Sequence, residues 1–468
     1  MGRVTARTTA AAIPPGVDET PFEPAMSRTR GRQLVAYANK VYGVGDELAK
    51  IPDGRRDPEI PLSLINSTLL VSGLVRVRSL NALESELEKA WFAHAVGAEA
   101  PAEGSRLFSA ETVSRQLVKM GAEGPRAVLE GILHKAERNK VFREGWHGAL
   151  RYVAIDGWEP VRSFVRHCPH CLERIVTVGE GDQKHEVTQY YHRCVVALLL
   201  GEHEEVVLGF ESLRNQEQRR IAGEKSADCD EGEETAAIRL VERLRKTYGR
   251  WLEVIVADGL YANGPFLTAL DRLRFGAVIV VKKETDEPLR EALHLWAGKA
   301  PDETLDDEKV AEHIELWDCK EIQTLSTFKG PIRVTRAIVH SLDAEAEPKQ
   351  WCFVSIGVPA RKLTARQLLK VIRARWHIEN TGFNQWTQHW PFEHVFVNDW
   401  RGMEAVFGFL FSAFNLLQLF IYRQVKGYAR LKGRDPTKTI ISFVTKIRED
   451  LVAAQGGPLD WQSEAEEA

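Results

Sequence analysis

The sequence predicts a mixed α/β chain: a core of strands and helices interrupted by a β-rich insertion and preceded by an all-helical domain. Three observations predict it. Between 58 and 148, apolar residues recur at three- and four-residue steps in "LSLINSTLLVSGLVRV", "NALESELEKAWF", "AETVSRQLVKM" and "PRAVLEGILHKAERNKVF", the period of amphipathic helices. From 149 the texture changes to short β-rich runs, "RYVAIDG", "YYHRCVVALLL", "EEVVLGFESL", "WLEVIVADG" and "GAVIVVK", with the helical stretches "EETAAIRLVERLRKTYG" and "PFLTALDRLR" between the later ones. The order β-β-β-α-β-α-β fits a mixed sheet flanked by helices, its first three strands forming an antiparallel meander. Third, 284–360 breaks this alternation with charged loops and the β-like pieces "GPIRVTRAIVHSL" and "KQWCFVSIGV", which read as an insertion.

Each segment follows from its composition. Residues 1–57 are rich in Pro, Gly, Arg and Asp without a sustained period and read as a flexible arm. Residues 58–148 form the helical domain, where Ser109 is an N-cap and Glu111 a first-turn acid. The Thr112, Ser114, Arg115 and Gln116 that follow have the look of a helix-turn-helix reading face, or of an ordinary solvated face. Residues 149–283 are the first part of the core, 284–360 the insertion, and 361–430 the second part of the core. Residues 431–468 are a tail, basic and then acidic.

The bulk numbers exclude several classes. Apolar content of 44% and charged content of 27% are those of a globular protein. A net charge of −4 argues against a uniformly basic coat for nucleic acid, although local patches govern binding. Six cysteines in 468 residues do not make a disulfide framework, and a reducing compartment is expected. The N-terminal stretch lacks a signal peptide's apolar core. "MEAVFGFLFSAFNLLQLFIY" (403–422) approaches membrane-span length but carries Glu404, Asn415 and Gln418, so it reads as a buried core helix. No G-x4-G-K-[ST] loop is present, which argues against a nucleotide-driven motor.

Two strands end alike, "VAIDG" at Asp156 and "VIVADG" at Asp258. Each apolar run delivers an acid to the strand's C-terminal end, where open α/β sheets place ligands. A third acid, Glu379, interrupts an apolar series of Leu368, Leu369, Ile372, Trp376, Phe383 and Trp386 that steps by threes and fours along one helix face. A lone buried charge costs several kcal/mol, so something must compensate it. Three converging carboxylates suit a hard divalent cation such as Mg²⁺. Two ions about 4 Å apart stabilise the entering and leaving oxygens of an in-line phosphoryl displacement. The competing reading has Asp156 and Asp258 capping their own loops while Glu379 pairs with Arg375, four residues earlier.

These residues give the chain a resemblance to bacterial insertion-sequence DDE transposases of the insertion sequence four-like group, whose last acid sits in Tyr-x2-Arg-x3-Glu-x6-Lys. Arg375 and Glu379 match, whereas Ile372 stands at the Tyr position and Trp386 at the Lys position. The resemblance covers most of 149–425, including a β insertion between the second and third acids. It implies an RNase H-like, retroviral integrase-like core and catalysis by Asp156, Asp258 and Glu379 with two Mg²⁺ or Mn²⁺ ions. It further implies cut-and-paste transposition of an element with terminal inverted repeats, target DNA as a partner, a homodimer on paired ends, and a cytoplasmic, nucleoid-associated protein. The rivals are a nuclease of the same fold without strand transfer and a domesticated, non-catalytic DNA-binding protein.

DNA contacts are expected from Arg373, Arg375, Asn384 and Gln385, from Arg115 in the helical domain, and from the basic run Arg361, Lys362, Arg366 and Lys370. Trp296, Trp317 and Trp351 punctuate the insertion, where some related enzymes place a base-stacking aromatic. A separate cluster, "RHCPHCLER" with "KHEVTQYYHRC", pairs Cys168 and Cys171 as C-x2-C, half of many structural zinc sites. His192 is the favoured partner, with His167, His170, His185 and Cys194 as alternatives, so four ligands are not assigned.

Overall fold

The computed structural model describes residues 30–461 apart from 143–149, 202–204, 225–226, 282–285, 309, 324, 342–346, 425–435 and 455. Its centre is a ten-stranded sheet. Strand β1 (Tyr152–Ser163) is followed by β2 (Leu172–Val178), β3 (His185–Leu200) and β4 (Val206–Ser212). β3 pairs antiparallel with β1 from Leu200↔Tyr152 to Tyr190↔Ser163. On its other edge β3 is shared: the first half takes β2 (Leu172↔Tyr191) and the second half takes β4 (Cys194↔Ser212). The expected three-strand meander is therefore β1, β3 and β4, and β2 is an extra strand inserted before β3.

Beyond β1 the sheet turns parallel. Helix α9 (Glu233–Tyr248) leads to β5 (Val254–Ala257), and α10 (Gly264–Arg272) leads to β6 (Gly276–Val280). β5 lies parallel to β1 with Tyr152↔Val254, and β6 lies parallel to β5 with Val254↔Gly276. "YVAI", "VIVA" and "GAVIV" are buried at every residue, as strands covered on both faces must be. The expected insertion carries α11 (Glu287–Trp296), β7 (Glu303–Asp307), β8 (Glu312–Ile322), β9 (Ile332–Ser341) and β10 (Lys349–Ile356). It continues the same sheet: β10 runs antiparallel along β6, followed by β9, β8 and β7.

The N-terminal part is helical: α1 (Arg30–Tyr42), α2 (Val44–Ala49), α3 (Leu62–Leu74), α4 (Leu80–Glu86), α5 (Ala90–Ala95), α6 (Ala110–Met120) and α7 (Glu123–Arg138). The expected flexible arm of 1–57 needs correction here. Residues 1–29 lie outside the described residues, but α1 and α2 bury Leu34, Val35, Ala38, Tyr42, Val44 and Leu48. Their apolar positions have helical spacing that the flanking Pro- and Gly-rich stretches obscure. The tail of 431–468 is likewise more than a tail. Helix α16 (Pro436–Ala453) packs on α1 and α5 and buries Phe443, Val444, Ile447 and Leu451. Trp461 Nε1 donates to Ala95 O (2.9 Å).

Helices and sheet share one continuous core, joined by α15 (Trp400–Gln424), which packs on α3, α6, α7 and β4. α15 is long and apolar enough to cross a membrane, yet 94% of its most apolar window is buried inside the protein. Its polar residues have partners there. Glu404 accepts from Ser212 Oγ (2.6 Å) and from Arg126 (3.1 Å). Asn415 takes both backbone groups of Val207, accepting from N–H and donating to C=O at 2.8 Å each.

Candidate active site

Register brings the first two acids together. Ala154↔Val256 ends the β1–β5 pairing, so Asp156 and Asp258, each two residues further on, lie side by side. Asp258 falls just past the end of β5, and Asp156, against expectation, lies inside β1, which runs on to Ser163 and pairs Asp156 with Val196 of β3. Asp156 Oδ1 accepts from Gly157 N (2.8 Å), and Asp258 Oδ1 accepts from Leu260 N (2.9 Å) at the start of a 3-10 turn. Asp258 therefore caps its own turn, whereas Asp156 sits within β1. The glycine after Asp156 has a steric cause: a Cβ at Gly157 would lie 2.2 Å from Glu233 Oε2.

The third acid arrives on α13 (Ala365–Ala374), which starts with a capping box: Thr364 Oγ1 accepts from Gln367 N (3.2 Å) and Gln367 Oε1 from Thr364 N (2.9 Å). Leu368, Leu369 and Ile372 are buried, as the apolar stripe requires. The stripe then fails. After Ala374 the helix loosens and passes into a π-helical turn over Ile378–Phe383, followed by α14 (Asn384–His389), and the changed winding rotates the residues around Glu379. Trp376, expected inward, is 44% exposed, whereas the Arg375 side chain is only 6% exposed. Arg375 Nη1 lies 3.1 Å from Asp156 Oδ2 and 3.0 Å from Glu379 Oε1. The compensation that a carboxylate at 379 requires is thus a guanidinium shared between the first and third acids. Glu379 itself is one-third exposed.

Electrostatics single out Asp156. Burial, reinforced by the neighbouring charges of Asp258 and Glu233, pushes Asp156 up from 3.8 to about 6 against the pull of Arg375 and the Gly157 N–H. Glu233, the first residue of α9, is a fourth acid that the sequence reading missed. It is nearly buried, contacts Arg193, and accepts from Tyr261 Oη (2.7 Å). Burial and these acids raise the Tyr261 hydroxyl well above its ordinary range. The only sequence signal for Glu233 was its place as the leading acid of a helix beginning "EET".

The expected DNA contacts divide. Arg361, Lys362, Arg366, Lys370 and Asn384 are exposed. Arg373 is paired with Glu312 (2.8 Å), and Arg375 is taken up by the acids. Gln385 is buried with its Oε1 lacking a partner among the described residues, so its expected DNA contact is corrected to a place in the core. Trp386, at the family's Lys position, is fully buried among Trp158, Phe392 and Phe411. In α6, Ser109 caps as expected by accepting from Thr112 N (3.3 Å). Arg115 is exposed and pairs with Glu111, whereas Gln116, expected on the exposed face, is buried. Trp296 and Trp317 are buried and Trp351 is half-buried.

The arrangement sets Asp258 beside Asp156 on neighbouring strands and Glu379 on a later helix, carboxylates of the kind that could hold a hard divalent cation. Residues 221–416 match the family model described as the transposase DDE domain. The match covers under half of the chain; it includes Asp258 and Glu379 and begins beyond Asp156. No curated protein matches the chain.

Proposed function

We propose that the chain is the transposase of an insertion sequence, cutting DNA at the element's ends and joining those ends to target DNA. The observation that carries the proposal is Arg375 binding both Asp156 and Glu379 at about 3 Å while strand register sets Asp258 beside Asp156. The strand order β4-β3-β1-β5-β6, three antiparallel and then two parallel, supports an RNase H-like core.

The residues fit a divalent cation in donor type, although the ligand oxygens of Asp156, Asp258 and Glu379 do not all lie within 4.8 Å of one another. Their donors are carboxylate oxygens, the ligands Mg²⁺ and Mn²⁺ prefer. Four carboxylates face two guanidinium groups, Arg375 and Arg193, and one of these already occupies the gap between Asp156 and Glu379. In our reading Asp156, Asp258 and Glu379 hold two Mg²⁺ or Mn²⁺ ions, which would supply charge for the attacking and leaving oxygens of an in-line displacement. Arg375 orients Asp156 and Glu379 toward each other, and Glu233, fixed by Tyr261 and Arg193, sets the negative potential behind them. The exposed Arg361, Lys362, Arg366 and Lys370 supply sequence-independent affinity for the DNA backbone. The N-terminal helices, with Arg115, recognise the terminal inverted repeats. Joining two ends calls for a homodimer on DNA, working at the nucleoid in the cytoplasm.

The test uses the full chain with precut duplexes bearing the inverted repeats that flank its gene, Mg²⁺, and a supercoiled target. Joined products are expected from the wild type and none from Asp156→Asn. Cleavage without joining would leave a nuclease, and full activity of Asp156→Asn would overturn the catalytic assignment.

A further inference from the structure

We propose that Cys168, Cys171 and His192 bind a structural Zn²⁺ ion, at a site separate from the acids and independent of the transposase reading. The three side chains converge although 24 residues separate the first from the last. Cys168 Sγ and Cys171 Sγ are 3.8 Å apart, and each lies 3.3 Å from His192 Nε2. A tetrahedral zinc with bonds of about 2.3 Å to sulfur and 2.0–2.1 Å to nitrogen has edges of about 3.8 Å between sulfurs and about 3.5 Å from sulfur to nitrogen. The observed triangle is that of three such vertices. It is not a disulfide, whose sulfurs are about 2.05 Å apart. This is also the sole group of three or more His, Cys, Asp or Glu among the described residues whose ligand atoms all lie within 4.8 Å of one another.

The fold explains why these three residues meet and the other candidates do not. Leu172 opens β2 opposite Tyr191, so the preceding residue, Cys171, falls beside His192. On the opposite edge of β3, Val161 of β1 is paired with His192. Cys168 returns to Cys171 through a tight turn in which Cys171 N donates to Cys168 O (3.1 Å). His185 stands at the far end of the β2–β3 pairing, opposite Val178. His167 instead stacks on Tyr190.

The histidine ring is held in place before any ion binds. His192 stacks flat on Trp400, with centroids 3.8 Å apart and planes 1° from parallel, so Nε2 keeps its aim at the two sulfurs. The three ligands line a cavity of about 290 Å³ together with Ser163, Asn398 and Met403, which leaves the fourth tetrahedral vertex open to a ligand from solution. Two thiolates and an imidazole select zinc over the hard cations that carboxylates prefer. Bound there, zinc ties the β1–β2 loop to β3 and, through Trp400, to the start of α15.

The test is metal analysis and cobalt spectroscopy of the purified full chain. The chain, stripped with a chelator and dialysed against Zn²⁺, should retain about one zinc, and Cys168→Ser/Cys171→Ser should retain none. Co²⁺ added to the stripped wild type should give the near-ultraviolet thiolate-to-cobalt band and the visible bands of a tetrahedral centre. Asp156→Asn should keep both, which separates this site from the acidic one. Absence of the thiolate band in the folded wild-type chain, or zinc retention by the double variant equal to wild type, would overturn the assignment. So would a disulfide between the two cysteines in protein purified under reducing conditions.

Discussion

Replacing Asp156 by Asn should stabilise the metal-free protein, and do so more at high pH than at low. Asp156 titrates near 6 in the fold against 3.8 for its ordinary value. A carboxyl whose folded value is raised binds its proton more tightly in the native state, so stability falls as pH rises from about 4 through about 6. A shift of about two units is worth about 3 kcal/mol once both states are ionised above pH 7, and about 1.5 kcal/mol at pH 5. Asn removes that cost but weakens the bond from Arg375 by about 1 kcal/mol, since a charge-assisted partner becomes a neutral one. The net gain is about 2 kcal/mol at pH 8 and about 0.5 kcal/mol at pH 5. Urea unfolding of both proteins in EDTA measures it, and Mg²⁺ should raise the wild-type midpoint at pH 8 while leaving Asp156→Asn unmoved. A variant no more stable than wild type at pH 8, or equally favoured at both pH values, would refute the account of a carboxyl raised by burial.

Arg375→Ala should cost about 3 kcal/mol in EDTA by leaving a buried acid unpaired, and Mg²⁺ should recover part of the loss in the same urea assay. Trp376→Ala should cost no more than about 1 kcal/mol, because the ring is 44% exposed and its cation–π contact with Arg375 (5.0 Å) is partly solvated. Loss of its stacking surface at the rim of the site should weaken binding of a frayed DNA end about fivefold or more, read by fluorescence anisotropy. Asn415→Ala should destabilise the chain by about 1–3 kcal/mol, visible in the urea midpoint, because the Val207 N–H and C=O lose their buried partner.

Two of the three acids were legible because their signal is local. "VIVADG" announces a buried strand that ends in a carboxylate and a turn; "VAIDG" announces the buried strand but not its continuation past Asp156 to Ser163, and parallel register sets the two acids side by side. Glu379 was found for an inexact reason. The sequence pattern extended one straight helix through Trp376 and Phe383, whereas the chain unwinds into a π turn that exposes Trp376 and buries Arg375. Helical periodicity carries no mark of that change in winding. Glu233 was invisible because its role arises from α9 beginning above Gly157, a tertiary fact. Gln385 and Gln116 look like polar reading residues in sequence, and only packing shows them turned inward. The first two helices were hidden by composition: their short apolar repeats are stabilised by α7, α15 and α16, which lie far away in the chain.

The amide of Asn415 on Val207 bears on assembly. β2 and β4 share one margin of the sheet and β7 forms the other. At β4 a side chain from α15 imitates a neighbouring peptide unit, and β7 presents the acidic sequence "ETLDD" to any incoming segment. Unpaired strand margins otherwise template the addition of foreign strands, and charge or a covering helix is how proteins prevent it. Molecules of this protein therefore have no ready route to associate by lengthening a common sheet at β4 or β7.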